Sequence, residues 1–108
     1  MRLSLEPFGK IANGTKKIES RIFDEKRRAI RVGDHIEFSN SENEEEKVIV
    51  RVRGLYIYDS FENLFDDFPP EYFGGTSKKS LTEEICRFYT EKEQSENGVI
   101  GIRIEAEK

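Results

Sequence analysis

The sequence predicts a single α+β domain built on a small, curved and mostly antiparallel sheet. Strand and helix patterns follow one another as a strand, a helix, several strands, two helices and a last strand, without βαβ alternation and without repeats. The longest strand pattern, residues 47–59, changes the parity of its apolar positions at Gly54, which is typical of a β-bulge. A long, bent strand favours a small barrel. The 108 residues of the chain suffice for one core of ordinary size, so residues 1–108 are assigned to one domain.

The first half of the chain reads as short strands separated by charged or turn-forming segments. Residues 7–14 begin with a proline and end with a glycine, as short helices do. The predicted elements are a strand over 2–6, this helix, a strand over 16–23, a charged connection over 24–34 and a strand over 35–40.

The second half contains the helices. Residues 39–47 are polar and acidic and are predicted to form a loop, either a hairpin tip or a mobile insertion. Residues 59–68 have a capping pattern and an apolar side typical of a short helix. Residues 80–93 are predicted to form one helix whose apolar stripe, including Phe88, faces the core. Residues 69–79 read as a loop, and a hairpin turn at Asn97-Gly98 is expected to lead into the last strand.

The charge distribution argues against indiscriminate binding to phosphate backbones, because the chain has a net charge of −4. Residues 10–33, however, contain eight basic and three acidic residues, a local net charge of +5. If this segment folds onto one face, its basic patch could attract a phosphate or a nucleic-acid strand. The alternative is ordinary solvated surface charge.

The reactive residue types are few. With one cysteine and one histidine, the sequence predicts no disulfide framework, no metal site and no cofactor. Neither a signal peptide nor an apolar run of membrane-spanning length is recognisable, so a cytoplasmic protein without membrane partners is expected.

The candidate site lies in the segment GTKKIESR, residues 14–21. Read as a strand, it places Lys17, Glu19 and Arg21 on one face, directly after Lys16. The lysine and the glutamate are suited to acid–base chemistry or to binding the amine of a nucleobase, and the planar guanidinium of Arg21 suits a phosphate or a base edge. The alternative is an internal ion pair, because residues two apart on a strand lie side by side.

Two further candidates lie at the end of the long strand. Tyr58 is expected to lie beside a turn, where its ring could stack on a nucleobase. Ser60 is expected to cap the following helix and could face the same cleft.

Four segments, in this order, resemble the ASCH domain, named for activating signal cointegrator homology and belonging to the wider PUA-like group. They are IANGTKKIESR, IRVGDHIEF, VRVRGLYIYDSFENLF and NGVIGIRI. The resemblance covers roughly residues 3–105 and is most specific at Gly14, Lys16, Ile18, Glu19 and Arg21. It implies a small β-barrel whose openings are covered by helices and a cleft lined by these polar residues. The expected ligand is RNA, a nucleotide or a modified nucleoside.

The resemblance also implies an enzymatic alternative. Some small bacterial ASCH-like proteins are amidohydrolases that act on N-acetylated cytidine with a lysine, a threonine and a glutamate. Lys16 matches the lysine, the position of the threonine is occupied by Glu19, and Glu71 is a loose match for the glutamate. A third possibility is a protein-interaction module that uses the acidic segment 41–47.

Overall fold

The computed structural model describes residues 1–3 and 5–107. Within these residues the chain forms five strands, five α-helices and one 3-10 helix. In chain order they are β1 Arg2–Leu3, α1 Leu5–Ala12, β2 Ile18–Ile22, α2 Glu25–Arg28, β3 His35–Asn40, β4 Asn43–Tyr58, α3 Phe61–Asp66, the 3-10 helix Pro70–Phe73, α4 Lys78–Ile85, α5 Glu91–Asn97 and β5 Val99–Ala106. None of these helices combines the length and the apolar character needed to span a membrane.

The strands form one sheet in the order β1-β3-β4-β5-β2. The short strand β1 runs parallel to β3, and every other neighbouring pair is antiparallel. The sheet is curled into a half-barrel, so the predicted α+β class is confirmed. No ladder between the outer strands β1 and β2 joins the sheet into a closed barrel in the described part of the chain.

Strand β4 is the longest strand and lies at the centre of the sheet. It pairs with β3 near its beginning and with β5 along its second half, and the register of the second ladder shifts between Val52 and Gly54. This shift leaves Arg53 as the extra residue of a bulge, and it confirms the irregularity predicted at Gly54. Because a bulge bends its strand and increases its twist, one strand can serve two ladders that face different directions.

Apolar side chains pack on both faces of the sheet. The inner face, covered at one end by α1, is formed by Leu3, Phe8, Ile11, Phe38, Val50, Val52, Ile100, Ile102 and Ile104. The outer face packs against α3, α4 and the 3-10 helix through Ile18, Ile22, Phe61, Leu64, Phe65, Phe73, Leu81 and Val99. Strand β5 is therefore buried on both faces, which explains its almost continuous apolar sequence.

The structure has two helices where the sequence predicts one. Residues 80–93 do not form one helix, because α4 ends at Ile85 and α5 begins at Glu91. The new start is stabilised by a capping box, in which Thr90 and Glu93 bond reciprocally to each other's backbone N–H groups. The break removes Phe88 from the predicted apolar stripe, and this ring is 71% exposed.

The two turn predictions have different outcomes. Asn97 and Gly98 do not form a hairpin turn: they end α5, and the N–H of Gly98 donates to the carbonyl of Gln94. The acidic segment 39–47 forms the tip of the β3–β4 hairpin, which was one of its two predicted forms, but the strands extend further into it than expected and leave only Ser41 and Glu42 between Asn40 and Asn43. Polar residues can occupy the tip of a hairpin since both sides of it face water.

The close packing at Gly101 of β5 gives a test of this architecture. A β-carbon there would lie 2.9 Å from a Leu64 methyl carbon and 3.1 Å from an Ile18 methyl carbon. We expect Gly101→Ala to destabilise the protein by about 1–3 kcal/mol, because it overpacks the contact between β5, β2 and α3. Urea unfolding followed by circular dichroism measures this change.

Gly9→Ala, in α1, is the matched control. Nothing lies within 4 Å of a β-carbon at Gly9, so alanine should stabilise the helix by about 0.5–1 kcal/mol. An equal effect of the two substitutions would contradict the packing described for β5.

Candidate functional site

The candidate site is built on the edge strand β2. In its ladder with β5, Glu19 lies opposite Ile102 and Arg21 lies opposite Ile100. Because opposed residues of an antiparallel ladder project to the same side, both charged side chains share the inner face of the half-barrel. The other edge of β2 makes no ladder with a described strand, so these side chains lie beside an open seam.

Within the described residues, Glu19 is held at this seam by three hydrogen bonds. Its Oε1 accepts from Lys16 Nζ at 2.8 Å and from the Ser20 backbone N–H at 3.2 Å. Its Oε2 accepts from Arg21 Nη2 at 3.0 Å. The Glu19 side chain is only 4% exposed, and those of Lys16 and Arg21 are 12% and 16% exposed. The internal ion pair considered as an alternative therefore exists, and it is part of a three-membered cluster.

The electrostatics of the cluster favour an ionised carboxylate. Burial by itself raises the pKa of Glu19, because it removes water from the charged form. Attraction to Lys16 and Arg21 and the hydrogen bonds that they donate outweigh this effect, so the Glu19 pKa lies below its ordinary value of 4.5. For Arg21, burial lowers the pKa, whereas Glu19 and Tyr89 raise it, with a net upward shift.

The cluster forms the polar side of a cleft of about 670 Å³. The cleft follows the open seam between β2 and the opposite edge of the sheet and extends to α4 and the segment after it. Its described lining consists of Leu3, Pro7, Lys16, Glu19, Ser20, Arg21, Ser41, Phe65, Phe73, Leu81, Glu84, Ile85, Phe88 and Tyr89. A buried charged group thus meets an apolar and aromatic wall, as in many small-molecule sites.

Four of the residues proposed from sequence lie outside this lining. Lys17 precedes β2 and lies against the Tyr72 ring, so its predicted alignment with Glu19 and Arg21 is wrong. Tyr58 donates its hydroxyl hydrogen to Asp67.

The remaining two, Ser60 and Glu71, also lie outside the lining. Ser60 is the N-cap of α3 and accepts from the Asn63 N–H, as its capping role predicted. Glu71 is exposed in the 3-10 helix and does not line the cleft. The predicted site residues that the fold brings together are therefore Lys16, Glu19 and Arg21.

Sequence reasoning missed the aromatic side of the cleft. The stripe of one long helix predicts both Phe88 and Tyr89 in the core. Tyr89 does pack against the core, with its ring centre 5.6 Å from that of Phe61, but it also lines the cleft, and Phe88 is exposed. The spacing of Thr90 and Glu93, which is that of a capping box, marks the start of α5 and was the available signal for a break before it. Ser41, by contrast, reaches the cleft only through the fold of the β3–β4 hairpin, and no local pattern marks it.

Metal-ligating side chains are not concentrated at this site. Within residues 1–3 and 5–107, no group of three or more His, Cys, Asp or Glu side chains is arranged to hold a metal ion. His35 pairs with Glu107 at 3.1 Å, and Cys86 is exposed.

The lowered pKa of Glu19 predicts an acid-dependent loss of stability. The folded-state pKa lies below that of the unfolded chain, so the stabilisation is complete above about pH 4.5 and is lost as the pH falls through the lower folded-state value. We expect the free energy of unfolding of Glu19→Gln to depend less on pH in this acid range. At pH 7 the substitution should cost about 1–3 kcal/mol, because Lys16 and Arg21 lose their buried anionic partner. Urea unfolding at several pH values between 3 and 7 measures both effects.

Glu84→Gln is the matched control for this prediction, because Glu84 lies in the same cleft but is exposed. It should change the unfolding free energy by less than about 0.5 kcal/mol. If both variants lose stability at acid pH as the parent protein does, the Glu19 cluster does not cause this loss.

Comparison with known proteins identifies relatives over the whole chain. The ASCH domain family model matches residues 1–108. The crystal structure of a hypothetical protein, PH0355, is 34% identical, with 99% of this chain and 96% of that chain covered at a TM-score of 0.87. The solution NMR structure of protein PF0455 from Pyrococcus furiosus is 30% identical, with 98% and 97% covered at a TM-score of 0.68. No curated protein sequence matches the chain.

These matches agree with the four segments whose order first suggested the family. They extend over the sheet, its helices and the Lys16–Glu19–Arg21 cluster alike. The chain therefore belongs to the ASCH domain family.

Proposed function

We propose that the protein binds RNA, a nucleotide or a nucleoside in the cleft, with a nucleobase between the charged cluster and the aromatic wall. The observation that carries this proposal is the buried Glu19 carboxylate, held by Lys16 and Arg21 at the side of a cleft of about 670 Å³. That volume lies within the range of about 300–1,000 Å³ typical of small-molecule sites.

The charged cluster supplies hydrogen-bonding groups of both kinds. A carboxylate has about four acceptor positions, and Glu19 uses three of them within the described residues, so it has capacity for one N–H of an exocyclic amine. The Lys16 ammonium has three N–H donors, of which one is directed to Glu19. A nucleobase edge presents the complementary mixture of donors and acceptors.

The aromatic wall supplies a stacking surface. Phe88 is 71% exposed although it lines the cleft, and Tyr89 lies next to it along the chain. A large exposed ring contributes little to the free energy of folding but can stack on a base. Such stacking contributes about 1–3 kcal/mol per base to the binding free energy. The same contact could receive a base from any of the three ligand classes.

The hydrolase alternative shares the cleft but lacks a specific geometric argument. Glu71 does not line the cleft, and the lowered pKa of Glu19, which keeps the carboxylate ionised, also makes it a weaker base for activating water. The protein-interaction alternative depends on the exposed hairpin segment 41–47. The hydrolase and the protein-interaction module are alternative outcomes of the experiment below. The cytoplasmic location stays a prediction.

The experiment is a proton–nitrogen NMR titration with cytidine, N-acetylcytidine and a short single-stranded RNA, with acetate release followed in the same sample. We expect shifts at Lys16, Glu19, Arg21 and Phe88 without acetate. Arg21→Ala should abolish these shifts, while Lys92→Ala, at an exposed side chain of α5, should leave them unchanged. Acetate release would establish the hydrolase instead. If none of the three ligands changes the chemical shifts, the proposal is overturned.

Phe88→Ala separates the aromatic contribution from stability. We expect it to weaken ligand affinity by about 5- to 150-fold, which corresponds to the loss of one base stack. The melting temperature should stay within about 2 °C, since the ring is mostly exposed.

Val32→Ala is the control for that prediction, because Val32 is 62% exposed and does not line the cleft. If Val32→Ala and Phe88→Ala weaken binding equally, the ligand does not stack on Phe88.

A further inference from the structure

A second concavity adjoins the cleft. We call it the basic groove: it has a volume of about 240 Å³ and lies between the end of α1, the residues before β2, the β4 bulge and the end of β5. Lys16 lines both the cleft and the basic groove. The groove therefore begins beside the charged cluster, and a ligand longer than one nucleoside could extend from one into the other.

The basic groove is cationic on a protein whose net charge is −4. Among its described lining residues, Lys16, Lys17, Arg53 and Arg103 are basic and only Glu105 is acidic. The charge of Lys16 is matched by Glu19, and Arg53 Nε donates to Glu105 at 2.9 Å. Lys17 and Arg103 have no carboxylate partner within the described residues, so the excess positive charge of the groove resides on these two side chains.

Lys17 and Arg103 are arranged around one aromatic ring. The Lys17 Nζ lies 5.2 Å and the Arg103 Cζ 5.8 Å from the centre of the Tyr72 ring. A ring face attracts cations without neutralising them, so both groups are oriented while their charge is preserved. Their joint position is not that of a charge run along the chain, since Lys17 and Arg103 are 86 positions apart in the sequence.

The backbone under these cations is fixed. The N–H of Lys17 donates to the Tyr72 carbonyl at 2.7 Å, and the carbonyl of Lys17 accepts from the Ile104 N–H at 2.9 Å. Arg103 lies within β5 and pairs with Ile18 on one side and Gly54 on the other. Preorganised cations lose less freedom when they bind an anion than flexible surface lysines do.

We infer that the basic groove binds phosphate groups of a single-stranded RNA whose base occupies the cleft, with Lys17 and Arg103 as the phosphate-contacting residues. This inference rests on the proposed function, because it requires a base in the adjoining cleft. The guanidinium of Arg103 suits two phosphate oxygens, and the Lys17 ammonium acts as a point charge. A single strand is required because only an unstacked base can enter the cleft.

The test compares four ligands: cytidine, cytidine 3′-monophosphate, a single-stranded RNA pentamer and a pentamer of glutamate. We expect the RNA to bind most tightly, with an affinity that falls with salt by about 0.7 logarithmic units per logarithmic unit of salt for each phosphate contacted. Lys17→Ala should weaken RNA binding by about tenfold and reduce this slope by about 0.7, while cytidine binding stays unchanged.

Arg103→Ala should act in the same way as Lys17→Ala. Arg103 is half-buried, so Arg103→Lys serves as a second variant that keeps the charge and tests the planar fork. Its RNA affinity should lie between those of the parent protein and of Lys17→Ala. Lys92→Ala, at a side chain of α5 that is 83% exposed, is the control and should change neither the affinity nor the slope.

The outcomes separate the inference from the proposed function. If cytidine and RNA both shift the cleft residues but Lys17→Ala changes neither RNA affinity nor its salt slope, the groove inference is overturned and the proposed function stands. If neither ligand binds the cleft, both are overturned. Equal affinity for the monophosphate and the pentamer would limit the ligand to a nucleotide, and equal affinity for the glutamate pentamer would identify an acidic peptide; either result overturns the assignment to RNA.

Discussion

The structure depends on how a carboxylate is kept charged at the open seam of a half-barrel. Glu19 is almost fully buried, and a buried anion is costly unless cations and hydrogen bonds replace its water. Lys16 and Arg21 provide this replacement from the same short segment, so the cluster forms with β2 itself. The edge strand thereby remains polar along one side, which prevents the seam from closing as an ordinary apolar core and leaves room for the cleft.

The sheet and its two apolar faces fix the position of this cluster. Ladder pairing to β5 orients Glu19 and Arg21 towards the inner face, while Ile18 and Ile22 anchor the other side of β2 against the helices. Because β5 is packed on both faces, β2 cannot rotate or slide without disturbing both cores. The site is thus carried by a rigid element, and its aromatic wall comes from the less regular segment between α4 and α5.

Much of the fold and the charged side of the candidate site could be predicted from local sequence. The strand alternation, the bulge at Gly54 and the cluster of Lys16, Glu19 and Arg21 depend on neighbouring residues, and all of them were predictable. Lys17 was misassigned because its direction is set by hydrogen bonds to Tyr72 and Ile104, which are distant in the chain. Phe88 was misassigned because the helical stripe continued through a break that the Thr90 capping box imposes. The pairing of Lys17 with Arg103 could not be predicted, since only the fold brings them together.

The bulge in β4 also determines where the length of this chain can change. Residues after the bulge alternate between the two faces of the sheet, so the loss of Tyr56 alone would exchange the faces of Ile57 and Tyr58. The hairpin tip between β3 and β4 carries no such constraint, because its side chains are exposed on both sides. Insertions and deletions in related sequences should therefore accumulate at this tip, while the distance in sequence from the bulge to the start of α3 stays constant.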